Sequence, residues 1–184
     1  MLLEIGNITN YDRDIIPFTK NGIVIDTSII KILIDGIIAT RISKKNLNEL
    51  PEYKNLLDFL ALIKMNNKWE KLFVTPHILS EVCRHFRDDY SDYKNYRNIV
   101  GEVFPLLKIM EEHMVSKENI IGHIDYDNPV IEIGDISIFA VAQDFISEKK
   151  KTAILAKDKR INDKYKDDSY IMVMDYQAIM LSLL

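Results

Sequence analysis

Short, unbroken apolar runs alternate along the chain with longer stretches in which apolar residues return every three or four positions. The first run, Gly22-Ile23-Val24-Ile25, has no polar face, the pattern of a strand covered on both sides by helices. Directly after it, Asp26-Thr27-Ser28 opens a segment where Ile29, Ile30, Leu33, Ile34, Ile37 and Ile38 recur at helical spacing. A second helix is predicted from about Glu52 to Met65, with Leu56, Leu57, Leu60 and Ile63 on one face and Pro51 at its first position. Lys71-Leu72-Phe73-Val74 is the second strand, and Thr75-Pro76 supplies a cap and a first-turn proline for a helix ending near Arg87. Ser91 is placed to cap another helix reaching about Met114, striped by Ile99, Val103, Leu106, Leu107 and Met110 and kinked at Pro105. Ser116 to Pro129 is polar and reads as a loop with one helical turn. The segment after Gly134-Asp135 carries Ile136, Ile138, Phe139, Val141, Ala142, Phe145 and Ile146, apolar nearly all round and therefore central. Thr152 to Ala156 and Ile171 to Met174 are the third and fourth strands, and Asp175 caps a closing helix from Tyr176 to Leu184.

Strands that alternate with helices specify an α/β fold whose central sheet, of four or five strands, is mainly parallel. With 184 residues the chain fits one domain, here residues 21–184, and residues 1–20 form an arm packed on it. Lysine and arginine number 24 against 28 acids, a net charge of −4, so the overall field does not draw in polyanions and a nucleic-acid partner needs a local basic strip. The single cysteine, Cys83, cannot close an intramolecular bridge and is expected to be buried and inert. Met1-Leu2-Leu3-Glu4 lacks the basic start of a signal peptide, and the most apolar stretch, Ile23 to Ala39, is broken by Asp26, Lys31 and Asp35. A soluble cytoplasmic protein without a membrane partner is the expectation.

Crevices in parallel α/β sheets lie beyond the carboxyl ends of the strands, which singles out four acids. Asp26 follows the first strand, Glu81 lies about two turns into the helix after the second, Asp135 opens the central helix, and Asp158 stands two residues past the third strand. Taken singly, each has an ordinary place in a helix cap, a turn or a solvated helix face. Taken together they point to a cation, because carboxylates about 4 Å apart repel by about 4 kcal/mol per pair at an effective dielectric near 20. Hard oxygen ligands without a thiolate favour Mg²⁺ or Mn²⁺ over zinc.

Four segments carry a resemblance: Ile23-Val24-Ile25-Asp26-Thr27-Ser28, Thr75-Pro76-His77-Ile78-Leu79-Ser80-Glu81-Val82, Gly134-Asp135-Ile136-Ser137-Ile138-Phe139-Ala140-Val141-Ala142 and Ile154-Leu155-Ala156-Lys157-Asp158-Lys159-Arg160-Ile161. In this order and spacing they resemble the motifs of the PIN-domain family of metal-dependent ribonucleases, over about Gly22 to Tyr176. The resemblance implies a three-layer α/β/α fold in which Asp26, Glu81, Asp135 and Asp158 form a catalytic quartet that also binds the metal, with Ser28 as a supporting hydroxyl. It further implies an endoribonuclease that hydrolyses phosphodiester bonds in RNA with a water activated by Mg²⁺ or Mn²⁺. The family includes toxin ribonucleases of bacterial toxin-antitoxin pairs, so a protein antitoxin or other inhibitor, and a homodimer through Ile29 to Ile38 and Tyr176 to Leu184, are expectations of the same kind. The chain departs from the family where Ala156 replaces the Thr or Ser often found two residues before the fourth acid. It departs from the compact toxins in its long lead before the first strand and its long segment between the second and third motifs.

Cations expected to meet RNA are Arg84 and Arg87 beyond Glu81, and Lys157, Lys159 and Arg160 around Asp158; Lys149-Lys150-Lys151 reads as a solvated helix end. Rival readings remain. His77, Glu81 and His85 share one helical stripe with the spacing of transition-metal ligands. Asp26 after a strand suggests an aspartyl nucleophile as in proteins that resemble the haloacid dehalogenase family, but Ser28 stands where the second Asp of that pattern belongs. Asp125-Tyr126-Asp127-Asn128 begins like a calcium loop, which Pro129 and Val130 then break. The alternative of a different class is a catalytically inactive PIN-like module that binds RNA or protein.

Overall fold

A computed structural model describes residues 11–124, 132–165 and 167–182, and leaves aside the side chains of residues 11, 12, 159, 162 and 182. The whole Asp125 to Val130 turn, the first ten residues of the arm and the side chain of Lys159 therefore lie outside the described part. Five parallel strands form one sheet in the order β3-β2-β1-β4-β5, flanked by helices, in keeping with a three-layer α/β/α fold. They are β1 (Ile23–Ile25), β2 (Leu72–Val74), β3 (Glu111–Glu112), β4 (Thr152–Ala156) and β5 (Ile171–Asp175). The three apolar runs β1, β2 and β4 are buried along their whole length, which is why they lack alternation.

Helices fill the connections. Short α1 (Tyr11–Asp14) and α2 (Ile16–Thr19) precede β1, with Ile15 and Phe18 buried in the core. After β1 come α3 (Thr27–Ile37), extended by a π-helical turn over Ile38–Ile42, and α4 (Pro51–Leu62) with Pro51 at its start. Strand β2 leads into α5 (Pro76–Tyr90), and α6 (Tyr96–Ile109) carries Pro105 inside it. Next are α7 (Lys117–Gly122), capped by Ser116, and α8 (Ile133–Ser147). The closing pair is α9 (Lys159–Tyr165) after β4 and α10 (Tyr176–Ser182) after β5. From Ile136 to Ala142 every residue of α8 is buried, as its all-round apolar pattern requires. Among the described residues no helix is long and apolar enough to cross a membrane.

Three local expectations are corrected. Ser91 closes α5 rather than opening the next helix, which starts at Tyr96 after Asn95 and receives no side-chain cap. That helix ends at Ile109, short of Met114, because Glu111 and Glu112 pair with Phe73 and Val74 as the edge strand β3. Cys83 is exposed: α5 buries Ile78, Val82 and Phe86, and its next residue along from Val82 turns outward.

The sheet's central strand depends on one glycine at its entry. Gly22 has φ +122°, and a Cβ there would lie 2.4 Å from the Phe73 ring and 2.7 Å from the Lys71 carbonyl oxygen. Gly22→Ala is expected to destabilise the chain by about 2 kcal/mol or more, from strain at positive φ and overpacking against β2. Urea denaturation followed by circular dichroism measures it, and a stability equal to the parent's would show that the entry to β1 is not constrained in this way.

Candidate active site

The strand order turns about β1. From β1 the chain builds outward to β2 and β3, then returns to place β4 on the other side, so β1 and β4 border the point where the order reverses. A crevice outside the carboxyl ends of strands is expected there. The structure holds a cleft of about 360 Å³ at this place, and Asp26, Glu81, Asp135 and Asp158 all line it. Four acids from separate stretches of sequence are thus brought together.

Asp26 sits at the N-cap of α3 in extended geometry, yet its side chain makes no capping bond. Its Oδ2 instead accepts from Ser28 Oγ at 2.5 Å and from the Lys157 backbone N–H at 3.4 Å, and the residue is only 8% exposed. Ser28 therefore supports the acid with which it was grouped. Glu81, on α5, accepts from Thr27 Oγ1 at 2.9 Å. A Cβ on Gly134 would lie 2.8 Å from Glu81 Oε2, so the missing side chain leaves the room this carboxylate occupies at the start of α8.

A hydroxyl chain sets α5 against α8. Thr75 Oγ1 accepts from the Ile78 N–H at 3.2 Å, capping α5, and lies 2.6 Å from Ser137 Oγ. Ser137 donates its one hydrogen to the Gly134 carbonyl at 2.6 Å, so the hydrogen between the two hydroxyls comes from Thr75. Both hydroxyl residues are fully buried. The chain fixes the first turns of the helices that carry Glu81 and Asp135.

Charge in the cleft is unevenly compensated. Burial, then the nearby Asp26 and Asp158 carboxylates, push Asp135 up to about 7, against a smaller opposing pull from Arg160. Burial also raises Glu81; the Thr27 hydroxyl opposes this, and the neighbouring carboxyl of Glu132 adds to it. Asp158 is held below the usual carboxylate range by hydrogen bonds from Arg160. The Arg160 guanidinium bridges two of the acids. Its Nε donates to Asp158 Oδ1 and Oδ2 at 3.0 and 2.8 Å, and its Nη2 donates to Asp158 Oδ2 and, at 3.1 Å, to Asp135 Oδ2.

Among the described residues no three His, Cys, Asp or Glu side chains are gathered closely enough to clasp an ion as they stand. The donor chemistry nevertheless fits a hard divalent cation: the cleft wall offers carboxylate and hydroxyl oxygens, and a positive group, the guanidinium, already lies between two of them.

Other expected residues are distributed as follows. Lys157 lines the cleft with its amine paired to Glu52, and Arg160 lines it as described. Arg84 and Arg87 do not line the cleft; both are exposed, Arg84 lying 3.2 Å from His85 Nε2 and 3.7 Å from Asp88, and Arg87 turning to Asp88. His85 lies in the cleft 3.8 Å from Glu81 Oε1, but His77 is not among its lining residues, so the histidine stripe does not converge. Lys150 pairs with Glu148, and Lys151 sits 4.7 Å over the Phe18 ring, both away from the acids. Three lining residues were missed by sequence reading. Thr27 stands between Asp26 and Ser28, Glu132 lies three positions before Asp135 at the N-cap of α8, and Lys31 lies three beyond Ser28 on α3, so proximity and helical spacing from the identified residues were the available signal.

An acid whose pKa is higher folded than unfolded contributes stability below its unfolded value, near 4, and loses that contribution as pH rises through its folded value. For Asp135 the window runs from about 4 to about 7. In EDTA, Asp135→Asn is therefore expected to gain stability over the parent chain between pH 4 and pH 8, by about 1–3 kcal/mol at the upper end. Thermal melts across that range test this, and parallel profiles would refute the burial of a charged Asp135. Compared with models of known protein families and with curated proteins, the chain matches none.

Proposed function

We propose that this chain is a divalent-metal-dependent endoribonuclease of the PIN type, hydrolysing phosphodiester bonds in single-stranded or looped RNA. The observation that supports this reading is the meeting of Asp26, Glu81, Asp135 and Asp158 in one cleft at the reversal point of a parallel sheet. These four side chains would hold the ion. The chemistry that Mg²⁺ or Mn²⁺ supplies when bound is a lowered pKa for water and compensation of charge on the phosphodiester.

The chain's own residues have distinct parts. Thr27 and Ser28, both hydrogen-bonded to acids, orient Glu81 and Asp26 without adding charge. Asp135, at about 7, holds a proton on its carboxyl below neutrality and would give it up in order to hold a cation. Lys157 and Arg160 stand where a phosphate backbone would enter, and they supply the local positive charge that a chain of net charge −4 otherwise lacks. A cleft that is open and polar suits a flexible single strand, whose backbone can bend to the acids, better than a rigid duplex. A second reading, an inactive PIN-like module that binds RNA or protein, draws on the bridging of Asp135 and Asp158 by Arg160, which already neutralises part of the site.

Purified protein is expected to cleave single-stranded RNA with Mn²⁺ or Mg²⁺ and to stop in EDTA. Asp26→Asn and Asp135→Asn should each lower the rate by about a hundredfold or more, beyond the ten- to hundredfold typical of groups that only support a metal site. Cleavage that survives both substitutions would reject the assignment; binding without cleavage by the unaltered chain would favour the inactive module. Lys157→Gln should weaken RNA binding across sequences and reduce the salt slope by about one. An unchanged slope in a fluorescence-anisotropy titration would remove Lys157 from the phosphate path.

A further inference from the structure

We infer that Arg160 is an internal counter-ion of the acidic cleft, which must release Asp135 and Asp158 before a divalent cation can take their oxygens, and which then turns to substrate phosphate. This rests on the metal-nuclease reading above. Arg160 is in the first turn of α9, two residues beyond Asp158. Its backbone N–H donates to Asp158 Oδ1 at 2.7 Å, an anchor that remains whatever the side chain does. The guanidinium occupies Asp158 Oδ2 and Asp135 Oδ2 together. It has five donors and no acceptor, so it cannot itself ligate a metal, and while it holds these oxygens its charge opposes a cation arriving at them.

The exchange is open to the side chain. Arg160 is 39% exposed, against 14% for Asp135 and 24% for Asp158, so the guanidinium lies on the solvent side of the acids it bridges. It can leave outward, toward the mouth, without disturbing the core. The other charges facing the cleft are differently committed. Lys31 pairs with Asp35 and Asp89, Lys157 pairs with Glu52, and His85 faces Glu81. Among the described residues Arg160 is the cation that bridges members of the quartet. When two positive groups compete for one pair of oxygens, the observed affinity for the second falls by the fraction of molecules in which the first has let go. The same side chain, once displaced, presents a planar fork suited to a phosphate. Arg160 therefore opposes the metal and favours the substrate, two effects of opposite sign from one residue.

The test is Mn²⁺ binding to the EDTA-treated full chain by calorimetry, beside RNA binding by anisotropy in excess Ca²⁺ in place of Mn²⁺. Arg160→Gln is expected to bind Mn²⁺ about tenfold more tightly than the parent and RNA about threefold or more weakly. Lys31→Gln removes the same charge from the same cleft and should alter Mn²⁺ affinity by less than about twofold, because Lys31 does not bridge the quartet. An Arg160→Gln affinity equal to or weaker than the parent's, or an equal gain in Lys31→Gln, overturns the proposal, the second outcome because it reduces the effect to net charge. Should Arg160→Gln fail to fold, Arg160→Lys keeps the charge but cannot span both acids, and is expected to gain about threefold; no gain overturns the proposal. Parent and variant proteins that are folded but take up no Mn²⁺ overturn the metal reading and this inference with it, whereas a parent that binds without any gain in the variant overturns this inference alone.

Discussion

The constraint on which the molecule turns is the repulsion among carboxylates that the sheet forces into one partly buried cleft. Two such charges at about 4 Å cost about 4 kcal/mol at an effective dielectric near 20, and desolvation adds to this. The ends of two interior strands cannot relax to spread them, since β1 and β4 are locked in register from Ile23 opposite Ala153 to Ile25 opposite Leu155. The compensation is local and visible: hydroxyls from Thr27 and Ser28, backbone N–H groups from Lys157 and Arg160, and the Arg160 guanidinium. What they leave uncompensated collects on Asp135, which keeps its proton to about pH 7. Charge gathered at such a cost is the usual mark of a functional site.

Much of this was legible in the chain because the signals were local and strong. Buried strands read as unbroken apolar runs, and α8 read as central because it has no polar face. The acids could be ranked because strand ends locate crevices before any coordinates are known. What could not be read has physical causes. Strand β3 consists of two exposed glutamates, and its pairing with β2 is decided by the neighbouring backbone rather than by side-chain pattern. Ser91 has the composition of a cap, but α5 runs three residues past its last expected turn and takes that serine as its end. Cys83 is exposed because it follows Val82 off the buried face of α5, a position that the lack of a nearby base does not reveal.

The site was legible in its acids and not in its cations. Carboxylate positions follow from strand ends, which are fixed, whereas long basic side chains choose among several acids within reach. Arg84 and Arg87 follow Glu81 closely in sequence, yet their partners are His85 and Asp88 on the same helix, and neither arginine lines the cleft. Lys157 and Arg160 stay because the turn after β4 is short and leaves them at its mouth. Spacing predicts where a side chain begins; partner competition decides where its charge ends.

That competition also bears on how such a site can fold at all. A quartet with no cation of its own would have to assemble against full repulsion and wait for an ion to arrive. Here the neutralising group belongs to the same short turn as one of the acids, two residues beyond Asp158, so the closing of β4 onto β1 brings acid and counter-ion in together. Loop closure then costs little extra, because Arg160 reaches Asp158 without any further ordering of chain. The bridge to Asp135 needs α8 in place, which links the packing of that helix to the pairing of charge. An arginine that offsets the repulsion in the cleft is, for the same reason, the group an incoming cation would have to displace.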